Sequence, residues 1–260
     1  MSADPRGVVK VAVGLLDHIA RQPAPFPIRL FGSVAVAVAC PECYYLSDVL
    51  GRNSLTDIDL VTHEKYEGLA CEALRDYGLV EPANFRELRD EYRRPIYVSP
   101  DGSYEAEIHF DPLNFHHIIE LGDRLALRPH TIPATELALS KLQYEEPSRD
   151  QLIDLVILFA SRACGNEEGD TISVTRISSL ARADWALWKT VDDNLSRLRK
   201  FTEEELQLPS EGGSFSRVVV LVDCIRDAMA RSEKTLRWRV TSAVHRIFPF
   251  LPRGQTVDTI

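Results

Sequence analysis

The sequence predicts an α/β chain of α+β character, with a mixed β-sheet flanked by helices over residues 1–145 and a helical C-terminal domain over 146–260. Three observations lead there. Alternating stretches of strand character are confined to the first half, and in residues 56–62 Ile58 and Leu60 take one face while Asp57 and Asp59 take the other. Helical spacing of apolar residues dominates the second half. The 260 residues are 45% hydrophobic and 27% charged, a balance that can bury a substantial core.

Val8, Val9, Val11, Leu15, Leu16 and Ile19 recur at helical spacing, so a helix is expected near 5–21, stopped by Pro23 and Pro25. A strand follows at 28–31, then a buried helix over 34–39 directly after Gly32-Ser33. The half-buried strand 56–62 comes next, then a helix over 64–77 closed by Gly78. Pro100-Asp101-Gly102 separates the arms 95–98 and 103–110 of a hairpin; in the second arm Glu105, Glu107, His109 and Asp111 share a face. A short strand is expected at 124–127 and a helix over 133–144.

Ser148 and Gln151 form a capping-box pattern for a helix running to Gly165. The remainder is read as helical, with segments 171–181, 184–201 and 216–246 separated by a loop at 165–169 and by Gly212-Gly213. Trp185 and Trp188 are expected to pack into the interdomain core, and Cys71 and Cys164 to sit in helices.

The functional signal is an order of elements. Gly32 lets backbone approach a phosphate, Ser33 adds a hydroxyl and an amide, and a helix N-terminus favours negative charge. Asp57 and Asp59 then point to one side of a strand, where two carboxylates can share hard cations such as Mg²⁺ or Mn²⁺. Glu107 is the choice for a third carboxylate on a neighbouring strand, with Glu105 and Asp111 as alternatives on the same face. Two such ions can activate an attacking oxygen and stabilise a leaving pyrophosphate. Lys141 and Arg52 are within sequence reach of a triphosphate, although each reads first as a surface cation.

On these residues the chain resembles the nucleotidyltransferase superfamily typified by DNA polymerase beta and the aminoglycoside nucleotidyltransferases. Phe31-Gly32-Ser33, Asp57-Ile58-Asp59 and Glu107 match its motif, with a longer gap between Ser33 and Asp57 than in minimal members and Glu in place of the commoner third Asp. Gly51 to Asp59, Thr131 to Gln143 and the helix around Trp185 and Trp188 resemble bacterial members over most of the chain. The resemblance implies a nucleotidyltransferase fold and transfer of a nucleoside monophosphate from ATP or another nucleoside triphosphate, releasing pyrophosphate. Asp57, Asp59 and Glu107 would be catalytic and metal-binding, and Gly32, Ser33, Arg52 and Lys141 nucleotide-binding. The acceptor is left open among a small molecule, a protein and RNA. Two other readings are a catalytically silent nucleotide-binding regulatory or toxin-antitoxin module, and an RNA-modifying enzyme.

The RNA reading rests on Arg231, Lys234, Arg237, Arg239, Arg246 and Arg253, opposed only by Glu233, although the net charge of -9 argues against a general nucleic-acid coat. Residues 1–6 lack the features of a secretory signal and no apolar stretch reaches membrane-spanning length, so a cytoplasmic protein without a membrane partner is expected. Five cysteines without regular spacing suit reduced thiols, and Cys40-Pro41-Glu42-Cys43 lacks the second pair a zinc site would want. Of His116 and His117, one is expected inside and one exposed. No nucleophile elbow or Walker loop is present.

Overall fold

Residues 5–165, 169–205 and 212–247 are described by a computed structural model. Helix α1 (Pro5–Ala20) buries Val8, Ala12, Leu15, Leu16 and Ile19, the face its periodicity marks. Strand β1 (Ile28–Phe31) leads without a loop into α2 (Gly32–Ala39), whose valines and alanines are mostly buried. A short helix α3 (Leu46–Val49) precedes β2 (Asp57–Thr62). After a 3-10 turn come α4 (Glu67–Asp76) and α5 (Phe85–Tyr92), then β3 (Ile96–Val98) and β4 (Glu105–Phe110).

These four strands form one mixed sheet in the order β1-β2-β4-β3. β1 is antiparallel to β2, β2 is parallel to β4, and β3 is antiparallel to β4. Leu30 extends the β1 edge by bonding His130 O and Ile132 N at 2.8 and 3.0 Å. Strands β5 (Leu113–Asn114) and β6 (Ile118–Ile119) make a small ribbon, and helix α6 (Ala134–Leu142) runs back past α2 with every residue buried.

Helix α7 (Arg149–Ser161) starts at the expected capping box, with the Gln151 amide donating to Ser148 Oγ and the Ser148 amide to Gln151 Oε1. It touches α2, α3 and α6 as well as α9 (Trp185–Glu205) and α10 (Gly212–Arg231). Strands β7 (Cys164–Gly165) and β8 (Ile172–Ser173), α8 (Val174–Ala183) and α11 (Leu236–Ile247) are the other elements of the described residues. A single buried cluster runs from Val8 to Met229, so apolar packing is continuous across position 145.

Several expectations change. The strand expected at 124–127 is a 3-10 helix, Gly122–Ala126, because Asp111 captures the Leu121 and Gly122 amides and curls the chain. α7 stops at Ser161, where Arg162 turns extended (φ -109°, ψ 142°), and Cys164 lies on a strand. The helix expected over 216–246 is two, since Ser232 and Lys234 bond back to Met229 O while Thr235 Oγ1 accepts from the Trp238 amide and caps α11. Gly212 begins α10 instead of breaking the chain. α5, rich in charge, was not expected. Trp188 packs against the core cluster, as expected, and also lies edge-on to Trp238, while Trp185 stacks on His245, so both tryptophans contact α11. His117 is buried and His116 exposed, as expected. Residues 166–168 of the expected loop, and Arg253, lie outside the described residues. Among the described residues, no helix is long and apolar enough to cross a membrane.

Candidate active site

The parallel pairing of β2 with β4 sets Asp57 opposite Glu105, Asp59 opposite Glu107 and Val61 opposite His109. Alternate residues of a strand share a face, so this register sets Asp59 of β2 beside Glu107 and His109, two positions apart on β4. One ligand atom each from Asp59, Glu107 and His109 lie within 4.8 Å of one another. His109 Nε2 is 3.3 Å from Glu107 Oε2 and 4.0 Å from Asp59 Oδ1. Two carboxylates and an imidazole are a donor set for a divalent cation, and the nitrogen widens the range toward first-row transition ions.

Asp57 lies on the same face and lines the same cleft of about 460 Å³, but it is exposed, outside that tight cluster, and accepts from Thr56 Oγ1 at 2.9 Å. The alternatives for the third carboxylate fall away. Glu105 is exposed and does not line the cleft, and Asp111 is spent on the Leu121 and Gly122 amides at 2.7 and 2.9 Å.

Gly32 ties the start of α2 to this cluster. Its φ of +72° belongs to the left-handed region, and a Cβ would strike Asp59 Oδ2 and stand 2.9 Å from Asp59 Cγ. No other residue lets that carboxylate lie against the turn. Ser33, one residue on, opens the other half of the site.

There the sequence expectation of surface cations fails. Arg52 and Lys141 are almost wholly buried, because both pair with Asp154 of α7, which is itself 0% exposed. Arg52 Nε is 2.8 Å from Asp154 Oδ1, Lys141 Nζ is 2.9 Å from Asp154 Oδ2, and Ser33 Oγ donates to Oδ2 at 2.6 Å. Lys141 Nζ also donates to Ser33 Oγ at 3.0 Å. One carboxylate thus holds a hydroxyl and two cations, drawn from α2, α6 and the loop before β2, around a single point at the cleft wall. Burial works to raise the pKa of Asp154, but Lys141 and Arg52 outweigh it and hold the carboxyl below its usual range.

The carboxylate face is electrostatically opposite. Burial pushes Asp59 up to about 7, Lys141 pulls it back, and Glu107 and Asp57 push further. Burial also acts to raise Glu107, yet the His109 hydrogen bond and the Arg94 charge bring it below its usual range. Burial lowers His109, so its imidazole is neutral near pH 7, the form that donates a lone pair to a metal. Arg94 Nε stands 2.7 Å from Glu107 Oε2. An aromatic wall of Phe31, Phe115 and Tyr144 closes this end; Phe31 meets His109 edge-on at 4.8 Å.

All seven residues expected from sequence, Gly32, Ser33, Arg52, Asp57, Asp59, Glu107 and Lys141, therefore line one cleft. Sequence reading missed His109, Arg94, Tyr144 and Asp154. For Asp154 a signal existed: it is a lone acid inside the apolar run from Leu152 to Ala160. Cys40 and Cys43 are both free and buried, and neither belongs to a ligand cluster among the described residues. No protein-family model, curated protein or solved structure matches this chain.

Proposed function

We propose that the chain is a metal-dependent nucleotidyltransferase that moves a nucleoside monophosphate from a nucleoside triphosphate to an acceptor hydroxyl and releases pyrophosphate. On this reading the sheet, α1, α2 and α6 are a nucleotidyltransferase-fold catalytic unit (1–145), and the helices of 146–260 are a C-terminal domain that closes one wall of the cleft. The observation that carries it is the division of one cleft into a carboxylate-imidazole face and a cation-hydroxyl face joined by Gly32.

Ser33, the amides at the start of α2, Lys141 and Arg52 would hold the triphosphate. Asp59, Glu107 and His109, with Asp57 beside them, fit Mg²⁺ or Mn²⁺ by donor chemistry, and Gly32 leaves the room that a side chain would fill. When bound, the ions would acidify the acceptor hydroxyl and neutralise charge on the departing pyrophosphate. The acceptor oxygen forms its new bond to the α-phosphorus, and the bond from that phosphorus to the oxygen bridging to the β-phosphate breaks. Glu107 takes the acceptor proton, and the aromatic wall keeps water from competing.

One observation favours the second reading, a nucleotide-binding module without transfer activity. Arg94 places a cation on Glu107, where a ligated metal would otherwise supply the charge. Of the basic segment behind the RNA reading, Lys234 is engaged with Met229 O and Ser232 and lies near the Trp188 and Trp238 rings, and Arg231 pairs with Asp227.

Calorimetric titration of ATP, GTP, CTP and UTP with Mg²⁺ or Mn²⁺ into wild type and an Asp57→Ala/Asp59→Ala variant tests the reading. Metal-dependent binding lost in the variant is expected, and pyrophosphate release on addition of the right acceptor separates the enzyme from the silent module. No nucleotide binding by folded wild type would sink both.

A further inference from the structure

Helix α11 is mounted with its aliphatic face outward. Trp238 and His245 turn in against Trp188 and Trp185, and Ser242 is buried, so the inward face is aromatic and polar. The opposite face exposes Leu236 (78%), Val240 (55%) and Ile247 (69%), with Ala243 between them. Their spacing of four, three and four residues is the alternating d and a seam of two heptads. Counting from it, Arg237 falls at an e position and Arg239 and Arg246 at g positions, and all three are exposed. α11 contains no acidic residue, on a chain whose net charge is -9.

From this arrangement we propose that α11 is a docking surface for an acidic amphipathic helix of a partner protein, its apolar seam packed on Leu236, Val240, Ala243 and Ile247 and its flanking carboxylates paired with Arg237, Arg239 and Arg246. Charge decides among the occupants. In the antiparallel pairing a second copy would set Arg239 against Arg246, and like charges at these positions reject a partner; in the parallel pairing Arg239 would meet Val244 and Arg237 would meet Ser232, so no carboxylate would answer either arginine. An anionic membrane would face a chain of net charge -9, and the tryptophan that would anchor an interfacial helix, Trp238, is turned inward. A partner helix with Glu or Asp at its e and g positions satisfies both the seam and the flanks. This surface is independent of the cleft chemistry.

The test uses the full chain and two labelled synthetic three-heptad peptides, both with Leu at a and d, one with Glu and one with Lys at e and g. Fluorescence anisotropy is expected to show the Glu peptide binding about tenfold or more tighter than the Lys peptide, with an affinity that falls as salt rises. Val240→Glu/Ile247→Glu, both at exposed positions, should abolish binding with an unchanged circular dichroism spectrum. Arg239→Glu/Arg246→Glu should reverse the preference between the peptides. Equal binding of both peptides, or binding of neither, overturns the proposal. So does a dimer in sedimentation that Val240→Glu/Ile247→Glu dissolves, capture by phosphatidylserine vesicles without peptide binding, or peptide binding that appears only after residues 248–260 are removed.

Discussion

Replacing Asp154 by Asn tests whether one buried carboxylate organises the cationic half of the cleft. The side chain keeps its size and loses its charge, which leaves Arg52 and Lys141, with side chains 7% and 8% exposed, without the carboxylate they directly pair with. Breaking a buried ion pair from one side costs about 3–5 kcal/mol, since the orphaned cation has already lost its hydration. Against a whole-domain stability of about 5–15 kcal/mol this is a large fraction. With a urea m-value of about 3 kcal/mol/M, the unfolding midpoint should fall by about 1–1.7 M. Asp150→Asn is the control: Asp150 lies one turn earlier on α7, bonds the exposed Asn53 at 2.9 Å, and should cost under about 1 kcal/mol. The pH dependence has a definite sign. Asp154 is held below its usual value of 3.8, so its contribution is present above pH 3.8 and is lost as pH falls through the lower folded-state value. The gap between wild type and Asp154→Asn should therefore close in strong acid. A cost equal to that of Asp150→Asn, or a gap that widens on acidification, would refute the reasoning.

Asp59→Asn should stabilise the metal-free protein at pH 8: the folded-state value is raised from 3.8 to about 7, so wild type loses stability as pH rises across that window. At about 1.4 kcal/mol per pH unit the ceiling is about 4 kcal/mol, and with 26% of the side chain exposed we expect about 1–2 in urea titration, shrinking toward pH 4, with Mn²⁺ binding lost. Gly32→Ala should cost about 2–3 kcal/mol by the same assay and weaken Mn²⁺ binding, because the left-handed φ is strained for alanine and Asp59 must move. Arg94→Gln should tighten Mn²⁺ binding by calorimetry about three- to tenfold, by freeing Glu107 from a competing cation; unchanged affinity would show that the two do not compete.

What was legible in the sequence was local. Asp57 and Asp59 declare themselves by a period of two inside an apolar strand, and Gly32-Ser33 by its place between a strand and a helix. The shared face of Glu105, Glu107 and His109 was equally readable; which of them would ligate was not. That depends on the parallel register with β2, and a register between strands more than forty residues apart has no local signature. Asp154 lies 121 residues from Ser33, and its partners come from three other elements, so no period or spacing in its own helix announces the network. The trace it leaves is an energetic oddity, an ionisable group where Ile153, Leu155 and Val156 are all buried, and such an oddity demands a cation from elsewhere in the fold. α11 makes the complementary case. Its amphipathic pattern was present in the sequence, but a pattern states only that a helix has two unlike faces. Which face meets the core depends on what the core offers, and here Trp185 and Trp188 take the aromatic side and leave the aliphatic side outward. Both Asp154 and α11 are readable once the question changes from which residues are apolar to which residues are in the wrong place for their chemistry.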